Sequence, residues 1–122
     1  MLRAAEKFIQ KYEDGQAVFV EGESGSEMFV VLSGLVEISK QGGTQVGVIA
    51  TLAAGEMFGE MALVAGGKRS ASAFAKGDNT QVVCIDQARF VYLVSQQPAF
   101  ALSVMRMMAH RLAGVSLEPT EA

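Results

Sequence analysis

The chain has 122 residues, 50% of them hydrophobic and 19% charged, which is the size and composition of one folded domain and excludes disorder over most of its length. Its net charge is −3, with 10 Lys+Arg against 13 Asp+Glu, so it lacks the general basic face that nucleic-acid binding needs. The longest apolar stretches, such as Val46 to Ala54, fall far short of the roughly 20 residues of a membrane-spanning helix.

Residues 1–16 are too charged for a secretory leader, and the expected location is cytoplasmic. Twelve of the 13 glycines lie between Gly15 and Gly77. Glycine punctuates turns, so this region is expected to consist of short strands. Turns are expected at Asp14-Gly15, Glu21-Gly22, Ser33-Gly34, Gly42-Gly43, Ala54-Gly55, Gly66-Gly67 and Gly77-Asp78. That rhythm is the one of an all-β sandwich or barrel. Val18 and Val20 alternate with Phe19 and Glu21, and Val36 and Ile38 with Glu37 and Ser39. Met28 to Leu32 is apolar on both faces, which suits a central strand covered on both sides. Ala71, Ala73 and Ala75 present one face of small residues, leaving space for a helix or a ligand.

Cys84 lies in the run Val82, Val83, Cys84, Ile85. As the single cysteine it forms no internal bridge, and it reads as a buried, inert thiol. Asp86 is placed as an N-cap, flanked by Ile85 and Phe90 as a hydrophobic staple, which predicts a helix over about 87–95. Pro98 suits the first turn of a second helix, on which Phe100, Val104, Met108 and Leu112 share a face. Gly114 is the expected stop, with a frayed tail over 115–122 and a single domain over 1–114. One histidine, His110, and one cysteine make no usual transition-metal site and leave most hydrolytic constellations without a base.

The stretch Phe58 to Ala75, FGEMALVAGGKRSASAFA, carries the most chemistry. Glu60 to Val64 reads as about one helical turn opened by a glycine, whose first amides attract anions. Arg69 is expected on the following strand, where its fork suits a phosphate. Glu60 beside it suits a hydroxyl of the same ligand, as in a ribose cyclic phosphate. On spacing alone a plain Glu60–Arg69 salt bridge accounts for the same residues, and chance matches to short motifs favour it.

The same stretch resembles the phosphate-binding cassette of the cyclic nucleotide-binding domain family: Phe58-Gly59-Glu60-Met61-Ala62-Leu63, a short loop, then Arg69-Ser70-Ala71. Asp14 to Gly25, Met28 to Ile38, Leu52 to Gly59 and Asp86 to Leu112 also resemble that family, in register, over residues 8–113. The resemblance implies a mainly β fold, an eight-stranded jelly-roll β-roll flanked by short C-terminal helices. It implies that Glu60 accepts from the ribose 2′-hydroxyl and that Arg69 pairs with the cyclic phosphate. The amides of Gly59, Met61 and Ala62, with Ser70, complete the cradle. Arg106, His110 and Arg111 on the last helix are candidate lid residues, and equally ordinary as solvated helix positions. Ser70 leaves the purine ambiguous, with cAMP favoured over cGMP as ligand.

The expected function is therefore a non-enzymatic cyclic nucleotide sensor with no cofactor and no metal. The family's transcription factors continue into a DNA-binding helix-turn-helix longer than the residues after Gly114, so no direct nucleic-acid contact is expected. The chain is read as a stand-alone sensor or a piece of a larger protein, its C-terminal helix serving a homodimer or an effector domain. A cupin-like enzyme is the catalytic alternative, opposed by the single His110. A degenerate interaction module that binds no nucleotide is the other.

Overall fold

The computed structural model describes residues 8–42 and 46–113. The predicted stop at Gly114, the tail over 115–122, Gly43 of one predicted turn and the N-terminal seven residues lie outside them. The chain runs β1 (Ile9–Tyr12), β2 (Ala17–Phe19), β3 (Met28–Lys40), β4 (Gly47–Leu52), β5 (Met57–Phe58), α1 (Glu60–Ala65), β6 (Ser72–Ile85), α2 (Gln87–Gln96) and α3 (Pro98–Ala113). Among the described residues no helix is long and apolar enough to cross a membrane.

Two long antiparallel strands organise the fold. Met28–Val31 of β3 faces Val82–Ile85 of β6, and Leu35–Ser39 faces Ser72–Lys76, with register shifts between the two blocks. β1 and β5 extend the first block, through Ile9–Tyr12 on β6 and Phe29–Val30 on β3. β2 and β4 extend the second. Taking each long strand as two segments turns six strands into eight, which is how this topology meets the eight-stranded expectation. The predicted turns at Ser33-Gly34 and Gly77-Asp78 are instead the bends inside β3 and β6. Gly34 and Gly77 both have positive φ, at 78° and 99°. They bend the chain as expected, but the ladder resumes beyond them instead of reversing.

The bends bring both blocks onto one core. Phe29, Val31, Phe58 and Val82 of the first pack with Val36, Leu52 and Ala73 of the second. Each of the Phe, Val and Leu side chains contributes about 1.5–3 kcal/mol when removed from water. Phe19, Phe29 and Phe58 cluster with ring centroids 5.2–5.9 Å apart. Phe19 thus joins the core, while Val20, predicted on the opposite face from it, is exposed. Met28, Phe29 and Val31 are buried as expected of a central strand, whereas Leu32 at its bend is exposed.

The helices dock on one end of the roll. Asp86 Oδ1 accepts from the Arg89 amide at 2.8 Å, the predicted cap. Met28, Ile85, Leu63 and Val104 form a second core, joined by Phe90 and Phe100 with ring centroids 5.6 Å apart. Leu63 belongs to α1, so the short helix of the cassette packs directly into the cluster that seats α3.

Candidate functional site

Arg69 lies in the loop before β6, which begins at Ser72, and not on that strand as predicted. Its backbone is held by the β2–β3 loop: the Arg69 amide donates to Glu23 O at 2.7 Å, and Gly22 donates back to Arg69 O at 2.8 Å. The buried guanidinium is flanked by the Phe19 ring, with its carbon 4.1 Å from the centroid. It also lies against Gly25, where an added Cβ would sit 2.3 Å from Nε. Gly25 is a glycine because the arginine fills the space a side chain would take. Nη1 donates to Glu27 O at 2.9 Å and Gly59 O at 3.3 Å, and Nη2 lies 3.4 Å from Glu27 Oε1. Nε is buried and has no acceptor among the described residues. Burial pulls the guanidinium below its ordinary pKa, and the Glu27 carboxylate pushes back.

Glu60 opens α1. Gly59 precedes it with φ 78°, in the left-handed region that suits glycine, and no side chain caps the helix among the described residues. The Glu60 side chain is 5% exposed. Arg111 Nη1, from the last turn of α3, donates to Glu60 Oε1 at 2.5 Å, and Nη2 donates to Met57 O at 2.6 Å. The plain salt bridge between Glu60 and Arg69 does not form: each has a different partner.

Glu60 and Arg69 line one cleft of about 700 Å³, together with Gly59, Met61, Ala62 and Ser70. All six predicted ligand residues therefore meet in one place. Ser70 and Met61 are exposed to it, while Ala62 is buried in its wall. Of the candidate lid residues Arg111 lines the cleft, but Arg106 and His110 do not belong to its lining. Met108 and Leu112 of α3 do. Ile38, Lys40 and Ile49 form a further wall that sequence reasoning missed. It also missed Glu27, 42 residues from Arg69 in the chain, for which no local pattern exists.

Cys84 is half-buried, and burial with the nearby Glu27 and Asp86 carboxylates pushes its pKa to about 11. This shift favours the thiol over the nucleophilic thiolate at neutral pH.

The family model of the cyclic nucleotide-binding domain matches residues 9–97. The chain belongs to the cyclic nucleotide-binding domain family. It is 34% identical over 108 residues to the cyclic AMP receptor protein of Thermus thermophilus, covering 88% of this chain and 50% of that protein. It is 36% identical over 84 residues to human cGMP-dependent protein kinase 2, covering 67% of this chain and 11% of the kinase. The solved structure of the Thermus thermophilus catabolite activator protein superposes with a TM-score of 0.78 at 31% identity, over 93% of this chain and 54% of that one. The chain thus spans about half the length of the bacterial relative and a small part of the kinase. The β-roll with C-terminal helices is the fold these neighbours share.

Proposed function

We propose that the chain binds and senses a cyclic nucleotide, cAMP in preference to cGMP, and performs no chemistry on it. Family membership supports the ligand class. The observation that carries the reading is the pairing of a buried carboxylate, Glu60, with a buried guanidinium, Arg69, on one cleft. Glu60 accepts from the ribose 2′-hydroxyl. Arg69 and the amides of Gly59, Met61 and Ala62, with the Ser70 hydroxyl, hold the cyclic phosphate. The phosphate also supplies acceptors to a guanidinium whose Nε has none among the described residues. A cytoplasmic location accompanies this reading.

Isothermal titration with cAMP and cGMP is the direct test, and heat of binding to neither refutes the proposal. The contact at Glu60 has its own test. Glu60→Gln is expected to weaken cAMP binding roughly tenfold or more, the worth of a charge-assisted hydrogen bond. The 2′-deoxy analogue is expected to lose less affinity in this variant than in the wild type. Independent, additive losses instead mean that Glu60 does not touch the ribose.

We further propose that α3 is the lid that carries the signal. Leu63 couples the cassette helix to the α3 seat, and Met108 and Leu112 line the cleft. A ligand moves such a helix only through unequal affinity for its two positions. Hydrogen exchange of residues 98–113 is therefore expected to change at saturating cAMP, and identical protection with and without it rejects the moving lid. The second reading, an interaction module, draws on Leu102 and Met105, which are 47% and 60% exposed on α3. A homodimer or effector domain docking there is compatible with sensing. As a sole function it requires that the titrations show no binding.

A further inference from the structure

We propose that Lys40 and Lys68 draw the anionic nucleotide into the cleft, speeding its capture without holding it once Arg69 has the phosphate. This rests on the cyclic nucleotide reading above. The chain carries a net charge of −3, so its overall field repels an anion. The cleft is the reverse. Its lining holds four cations, Lys40, Lys68, Arg69 and Arg111, against one carboxylate, Glu60. Two of the four have counter-ions within the fold, Arg69 in Glu27 and Arg111 in Glu60. Lys40 and Lys68 have no ion pair and no side-chain hydrogen bond among the described residues.

Both lysines stand on anchored backbone. Lys40 ends β3, in register with Gly47 of β4. It is half-buried and shares its wall with Ile38 and Ile49. Its ammonium still reaches solvent, since Arg69 Nε is the one buried, unpartnered side-chain nitrogen or oxygen among the described residues. Lys68 is exposed in the loop that carries Arg69, and its backbone bridges to Ser24. Two uncompensated charges therefore reach one cavity from different elements. Its apolar walls concentrate their field in the cleft. Lysine suits this task, because a compact, strongly hydrated ammonium acts at a distance, whereas the flat Arg69 fork acts in contact. Charges at the rim of a site change the association rate and its salt dependence more than the dissociation rate. Such a field acts on the phosphate and is blind to the purine.

The test is stopped-flow association of cAMP and of cGMP, followed in competition with a fluorescent cyclic nucleotide. The proteins are wild type, Lys40→Gln, Lys68→Gln, the double variant and Lys11→Gln. Lys11 is exposed on β1 and lies outside the cleft lining, so its variant reproduces the change in net charge alone. At about 10 mM salt, where the screening length is about 30 Å, each single cleft variant is expected to associate about 2- to 4-fold more slowly than wild type, and the double variant about 4- to 10-fold. At about 1 M salt, where that length is about 3 Å, the differences are expected to vanish. Dissociation rates are expected to stay within about twofold of wild type, and cAMP and cGMP to slow alike. A loss that persists at high salt, appears in dissociation or differs between the purines overturns steering and makes the lysines direct contacts. Equal slowing in Lys11→Gln overturns it too, leaving an effect of net charge and not of the cleft. So does unchanged association of the double variant at low salt. In each of these cases the wild type binds and this inference fails alone. If the folded wild type binds neither nucleotide, the cyclic nucleotide reading fails and takes this one with it.

Discussion

Arg69→Ala is expected to lower cAMP affinity by about 30- to several-thousand-fold while the protein stays folded. Removing one partner of a hydrogen-bonded charge pair costs about 2–5 kcal/mol. No second arginine lies within 58–75 to take over. The fold tolerates the loss for a local reason. Glu27, the carboxylate that pairs with Arg69, has a side chain 41% exposed and is solvated once the guanidinium leaves. Phe19 keeps its contacts with Phe29 and Phe58 in the core. The melting temperature of the variant is nevertheless expected to fall by several degrees, for the hydrogen bonds lost at Glu27 O and Gly59 O and the space left against Phe19 and Gly25, with the protein still folded. Calorimetric titration of both proteins checks the affinity. Values within threefold of each other remove the phosphate role of Arg69.

The distinction between what sequence reading shows and what it misses follows the distance over which each feature is built. The cassette occupies contiguous residues, 58–71, and its six ligand candidates need only a turn, a short helix and a loop to meet. The cap at Asp86 and the start at Pro98 are local as well, and the structure has both. β1 has only Ile9 and Tyr12 half-buried, three residues apart, so no period-two pattern marks it. The turns that glycine predicts at Gly34 and Gly77 are bends within strands, because glycine with positive φ serves either purpose. Only the ladder between β3 and β6, resuming past both bends, separates the two. Arg69's partner Glu27 and Glu60's partner Arg111 come from tertiary approach, and no spacing announces them. The salt bridge that spacing favoured fails for that reason: each residue finds a partner from another element.

Gly34→Ala is expected to cost about 2–5 kcal/mol of stability and to lower the melting temperature by roughly 8–20 °C. Gly34 has φ 78°, which a residue with a Cβ adopts at a cost of about 1–2 kcal/mol. The position is also closed. An added Cβ would meet Thr80 Oγ1 at 2.3 Å and the Thr80 backbone Cα at 2.9 Å. Thr80 is fully buried and its hydroxyl donates to Gly77 O at 2.8 Å, so neither atom withdraws freely. Relieving the overlap shifts β3 against β6 at the place where both bend, and forced packing of that kind adds about 1–3 kcal/mol. Gly15→Ala is the control. Its φ is 86° but nothing lies within 4 Å of the added Cβ, so it carries the conformational cost alone. Thermal melts of the two variants side by side read the difference. If Gly34→Ala is no less stable than Gly15→Ala, close contact with Thr80 is not what requires glycine at the bend, and the closing of the roll on one core depends on something other than this crossing.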